Sequence, residues 1–159
     1  MINNYKLETS LFKAYYNGHI TIVKYLVEHG ADINKRNIFG NTSLIFACEK
    51  EYERIVEYLV DFGADINNEN NVNSNTPLLI SCQNGLIDII KYLVENGADI
   101  NKENNGGFTP LFNACFKGQE DIVKYLVEHG AFINKENSSG DTPLFYTCYN
   151  FKVIFINVP

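Results

Sequence analysis

Positive charge is scarce in this sequence. Arginine occurs only twice, at Arg36 and Arg54, and with eleven lysines it faces 19 acidic residues, giving a formal net charge of −6 and a pI near 5.0. A nucleic-acid binder needs a basic face to neutralise phosphates, and docking on anionic lipid needs one too. Neither nucleic acid nor membrane is therefore expected as a partner. Long apolar runs are missing as well: no stretch approaches 18 uncharged apolar residues, so no transmembrane helix is expected. The opening residues, Met1 to Lys6, are polar and lack the apolar centre of a secretion signal. A cytoplasmic location is the default expectation, with a nuclear or host-delivered one compatible.

Signatures of chemistry are equally sparse. There is no phosphate-binding glycine loop, dinucleotide fingerprint or nucleophile elbow. The run from Asp65 to Asn70 begins like a calcium loop, but that loop needs Gly sixth and Glu twelfth. Here those positions are Asn70 and Thr76. No catalytic residue, metal or cofactor is expected. The abundance of asparagine, 22 residues, is read as AT-rich codon usage without chemistry of its own.

What the sequence has is repetition. The decapeptide Ile22 to Ala31 recurs unchanged as Ile122 to Ala131, with close copies starting at Ile55 and Ile89. A threonine that suits a helix N-cap recurs at Thr9, Thr42, Thr76, Thr109 and Thr142, a period of about 33 residues that marks stacked supersecondary units. Three of these threonines precede Pro77, Pro110 and Pro143, and proline suits the first helical position because the N–H it lacks would be unpaired there. Gly18, Gly85 and Gly118 end a first helix. A second helix carries Ile-Val-x-x-Leu-Val, one apolar stripe on a 3.6-residue period. No unit of this size buries its stripe alone, whereas stacked neighbours do. The expected organisation is a single domain over 1–159, with units at about 4–37, 38–70, 71–104 and 105–137 and a partial unit at 138–159.

Thr109-Pro110-Leu111-Phe112-Asn113-Ala114, then Gly118, Ile122-Val123, Leu126 and Gly130-Ala131-Phe132-Ile133-Asn134, resemble the ankyrin repeat signature, TPLHxA through GADVN. The resemblance runs from about Asn4 to Tyr149. It implies an all-α solenoid of helix-turn-helix units with β-hairpin-like fingers. Finger tips and inner helices would then form a concave groove that binds another protein, without catalysis. The alternative is a targeting or scaffold segment of a larger multidomain protein, such as a microbial effector or an ankyrin-containing enzyme. The family's TPLH histidine is absent throughout, its position holding Phe12, Ile45, Leu79, Phe112 and Phe145, so an apolar contact is expected there. Glu51 replaces the inter-helix glycine of unit two, and unit three has one extra residue at 70–74 and no finger glycine, which should distort its finger. The apolar stretch Val153 to Val158 would serve as an improvised cap or be the scar of a truncation.

Other residues invite chemical readings that repeat phase absorbs. Cys48, Cys82, Cys115 and Cys148 occur once per unit. Neighbouring packed helices lie about 10 Å apart, beyond the roughly 7 Å that a disulfide allows, and a linear ladder cannot bring four sulfurs to one zinc. Buried, reduced thiols are expected. His29 and His129 share one phase near a helix end, where an imidazole suits the dipole. Asn34, Asn67, Asn101 and Asn134 are expected to bond their own turns; the resemblance also makes this position an acceptor for asparaginyl hydroxylation.

On the implied geometry, the groove is lined from the fingers by Phe39, Asn41, Asn73, Asn75, Phe108, Ser139 and Asp141. The inner helices contribute Tyr16, Glu49, Gln83, Phe116 and Tyr149. Exposed aromatics dominate binding hot spots, so Phe108, Phe116 and Tyr149 are expected to lead, with Phe39 and Tyr16 secondary. Glu49, Glu103, Glu136 and Asp141 tilt this side acidic and favour a protein partner with a basic or mixed basic and apolar surface. The chain itself is expected to be a monomer.

Overall fold

In the computed structural model, residues 11–149 are described, with side chains to residue 147. Residues 11–16 form a helix, α1. There follow α2 (Ile20–Glu28), α3 (Ser43–Glu49), α4 (Glu53–Asp61), α5 (Pro77–Asn84), α6 (Ile87–Glu95), α7 (Pro110–Lys117), α8 (Glu120–Glu128) and α9 (Pro143–Tyr149). The described residues contain no strand. The odd-numbered helices form an inner row, α3 on α5, α5 on α7 and α7 on α9. The outer row stacks α2 on α4 and α4 on α6, and α3, α5 and α7 each pack on the outer helix that follows. None of these helices is long and apolar enough to cross a membrane.

Local signals account for most helix ends. The Thr42 hydroxyl accepts from the Ile45 N–H at 3.4 Å and that of Thr76 from the Leu79 N–H at 3.3 Å, as an N-cap should. Thr109 departs from the expectation and makes no side-chain cap bond; Pro110 at the first helical position still starts its helix. The inter-helix turn requires a left-handed residue, met by Gly18, Gly85 and Gly118 with φ of 66°, 78° and 63°. Unit two keeps that geometry with a side chain in place, Glu51 at φ 61°.

The core is one continuous seam. Leu44, Leu78 and Leu111 are buried at one phase, and Val56, Ile90 and Val123 at another. Each such side chain taken from water contributes about 1.5–3 kcal/mol. At the family's histidine position Ile45, Leu79 and Phe112 are fully buried, whereas Phe12 is half-buried and Phe145 is 53 % exposed. Leu144 shares the phase of Leu44 but is 60 % exposed. The unit-one finger and the Val153–Val158 cap lie outside those residues.

Asparagines bind the units together. The Asn34 Oδ1 accepts from the Asp65 N–H, that of Asn67 from the Asp99 N–H and that of Asn101 from the Phe132 N–H, each at 2.8 Å. Their Nδ2 groups donate forward to the carbonyls of Gly63, Gly97 and Gly130 at 3.5, 3.3 and 3.1 Å. The expected bond within the turn is therefore corrected to a bridge into the next unit. The geometry favours this because a carboxamide carries a donor and an acceptor side by side, matching a C=O and an N–H on the facing loop.

A second set closes the fingers. The Oδ1 atoms of Asn37, Asn70, Asn104 and Asn137 each accept two backbone N–H groups of their own finger at 2.9–3.2 Å. Fingers 37–41, 104–108 and 137–141 close with a backbone bond from first to fifth residue, whereas in unit three it runs from Asn70 to Asn75. The extra residue widens that loop, and Ser74, at φ 55°, takes the left-handed position held by Gly40, Gly107 and Gly140 elsewhere. Neighbouring fingers are joined by donation from Asn71 to the Phe39 carbonyl, Asn105 to Asn73 and Ser138 to Gly106 at 2.9–3.0 Å.

Two substitutions should move stability in opposite directions. Glu51→Gly relieves a left-handed side chain against glycine's larger unfolded-state entropy and should stabilise by about 0.5–1 kcal/mol. Asn67→Ala removes both inter-unit bonds of one rung and should destabilise by about 1–2 kcal/mol. Urea unfolding monitored by circular dichroism checks both; equal midpoints for the three proteins would contradict them.

Candidate functional site

Six of the expected groove residues meet in one place. Phe39 and Asn41 from the finger of unit two, Asn73 and Asn75 from the finger of unit three, Glu49 at the end of α3 and Gln83 near the end of α5 line an open hollow of about 460 Å³. Asn70, Val72, Ile80 and Asn84 complete its wall. Phe39 is 57 % exposed and Val72 60 %, so two apolar side chains stand unburied on adjacent fingers. None of Asn70, Val72, Ile80 and Asn84 is among the groove residues that the sequence implies. The signal for Val72 was the insertion at 70–74, which carries it outward on a longer loop.

Glu49 supplies the only charge in the lining. Partial burial pushes its carboxyl above the ordinary range, opposed by the neighbouring Lys50 charge and by a hydrogen bond from Asn41, whose Nδ2 donates to Oε1 at 3.4 Å. Other acidic side chains along the fingers are ion-paired. Glu103 is ion-paired with Lys135 at 2.9 Å, and Glu69 with Lys102 at 2.7 Å. The Glu69 pairing lowers its own pKa and raises that of Lys102.

The remaining expected residues lie to either side of the hollow along the stack. Tyr16, 62 % exposed, sets its ring 5.9 Å from Phe46, and the Lys50 ammonium sits 5.2 Å above it, a cation–π arrangement. Towards unit five, Phe108 is half-buried, its ring edge-on to Phe112 at 5.5 Å and to Tyr146 at 5.9 Å. Phe116 remains 47 % exposed with its ring 5.8 Å from Tyr146. Tyr146 is thus the hub of an aromatic cluster that repeat phase alone does not reveal. Ser139 and Asp141 hold the tip of the last finger through their N–H groups on Asn137. The Tyr149 side chain lies outside the described residues.

The candidate reactive groups are spent on structure. His29 and His129 each donate from Nδ1 to the carbonyl four residues back, Tyr25 and Tyr125, at 2.7 Å, and stack on those rings at 4.0 Å. Cys48, Cys82 and Cys115 are buried free thiols; Cys148 lies outside the described side chains. Desolvation raises all three pKa values, to about 12 for Cys48 and Cys115. Among the described residues, no group of three or more His, Cys, Asp or Glu side chains is arranged to hold a metal ion.

Compared with known families, the chain matches the model described as ankyrin repeats in three overlapping copies, over residues 2–70, 67–137 and 100–155. A comparison with curated proteins finds no match.

A raised thiol pKa means less thiolate at a given pH, and the thiolate is the nucleophile. At pH 8 the folded protein should therefore leave Cys48, Cys82 and Cys115 unlabelled by a thiol reagent such as dithionitrobenzoate. Unfolding in urea should expose all three to the reagent, bringing the total to the four cysteines of the chain. Peptide mapping after native labelling that shows modification at any of the three would contradict this.

Proposed function

Since the chain belongs to the ankyrin repeat family, whose members generally serve as protein–protein interaction modules and are generally non-catalytic, we propose that it binds a partner protein along its finger and inner-helix side. The observation that supports this is the hollow between units two and three, flanked along the same side by exposed Tyr16 and Phe116. The stacking faces are consumed by the core, and the outer helices engage neighbours through bonds such as Tyr92 to Asp61 at 2.6 Å. The finger side carries exposed Phe39 and Val72 beside the side-chain amides of Asn73, Gln83 and Asn84, and exposed aromatics beside polar groups make strong binding anchors.

The partner we propose is basic or mixed basic and apolar. Glu49 is a partly desolvated anion with exposed Phe39 and Val72 lining the same hollow. An approaching Lys or Arg regains for Glu49 the stabilisation that burial removed, and complementary charge also speeds encounter. Two anchor regions are proposed: the hollow itself, and the aromatic stretch of Phe108, Phe116 and Tyr149 near units four and five. Ser139 and Asp141 would form its polar rim.

Photo-crosslinking benzoylphenylalanine placed at Phe39, Gln83 or Phe116 should capture the partner in source-cell extract, while the same group at Glu57 or Lys91 on the outer helices should not. Phe39→Ala and Phe116→Ala should each weaken binding to the captured partner by more than ten-fold with an almost unmoved melting curve. Crosslinking from the outer helices alone, or unchanged affinity in both variants, would defeat the proposal.

A further inference from the structure

The chemistry of the hollow says what form of polypeptide it fits. Five of its lining side chains besides Asn70 are carboxamides: Asn41, Asn73, Asn75, Gln83 and Asn84. Two are engaged within the protein, Asn41 with Glu49 and Asn75 as acceptor from the Asn104 Nδ2 at 3.0 Å. The side-chain amides of Asn73, Gln83 and Asn84 have no partner among the described residues, and Asn73, Gln83 and Asn84 are exposed. Each offers an acceptor oxygen beside N–H donors, able to meet both the N–H and the C=O of a peptide unit.

A helix or a sheet interior satisfies its own backbone groups and has little use for such a lining. An extended segment leaves N–H and C=O groups free on both sides. Apolar contact alone would call for a drier wall, and simple charge pairing for more than one acidic group. The combination present is unspent carboxamides from the unit-three finger and α5, two exposed apolar side chains on adjacent fingers, and one carboxylate. We infer that the hollow between units two and three takes an extended, unfolded segment of a partner protein, held through its backbone by Asn73, Gln83 and Asn84, with a Lys or Arg directed to Glu49 and a neighbouring apolar side chain seated on Phe39 and Val72. This rests on the reading that the finger side is the binding face.

The probe is a phage-displayed library of random linear heptapeptides selected on the full chain, followed by synthesis of the selected peptides. Selected sequences should carry Lys or Arg next to an aliphatic or aromatic residue. Glu49→Gln and Phe39→Ala should each lower their affinity at least ten-fold. N-methylation of single backbone amides should cost at least ten-fold at one or more positions. In the double variant Asn73→Ala, Gln83→Ala that penalty should shrink to less than three-fold. These side chains are exposed or half-exposed, and matching thermal melts will show that each variant is folded.

Absence of any selected peptide overturns the inference. So does affinity indifferent to N-methylation; if such peptides remain sensitive to Phe39→Ala, the binding face stands and only the extended-backbone mode falls. Peptides indifferent to Phe39→Ala, Glu49→Gln and Phe116→Ala together overturn both the inference and the face on which it rests.

Discussion

Every feature of this chain depends on the inability of one unit to bury its own apolar stripe. Two helices of seven to nine residues have too little surface to enclose Ile, Val and Leu side chains between them, and isolated helices of that length are marginal in water. Burial is completed only by the adjacent pair, so the stable object is the interface rather than the unit. Leu44, Leu78 and Leu111 show this by being buried between neighbouring units. The same constraint places the cysteines: a small apolar group is needed where inner helices pass closely, and a buried thiol meets that need while losing its reactivity.

Hydrophobic stacking is not directional, and the asparagines supply the missing register. Asn34, Asn67 and Asn101 fix the vertical spacing of successive loops by bridging to one N–H and one C=O of the next unit. Asn37, Asn70, Asn104 and Asn137 fix the shape of each finger. A slip between units would strand these polar groups, at a cost comparable to the bonds themselves. The asparagine content that composition alone assigned to codon usage is thus tied, at seven positions, to the order of the stack.

How far the sequence could be read follows from which interactions are local. Helices, their threonine and proline starts and the left-handed turns all depend on residues within one period, and repeat phase exposes them. The fingertip bond from Asn71 to Phe39, the Glu103 pair with Lys135 and the Asn67 bridge join residues about 30 positions apart. A phase argument identifies equivalent positions but not which one faces which across the interface. The site shows the same division. Phe39, Asn41, Glu49, Asn73, Asn75 and Gln83 could be named because the family resemblance says which positions of each unit face the groove. Val72, Asn84 and the Tyr146 hub depend on an insertion and on ring packing, which phase does not carry.

The one unit that breaks the repeat length is also the one that forms the hollow. In fingers of five residues a glycine closes the turn and the next finger approaches so near that a side chain at Gly40 would collide with Asn71. The six-residue finger of unit three closes instead through Ser74, and the added residue carries Val72 and Asn73 into the lining. Stacking tolerates the insertion because the core lies on the helices, away from the fingertips. Regularity is therefore demanded of the buried seam, whereas the finger edge is free to vary in length and side chain. In a repeat array that is where recognition can be specified without disturbing the fold, since a change in a surface loop costs little stability and a change in the seam removes part of two interfaces at once.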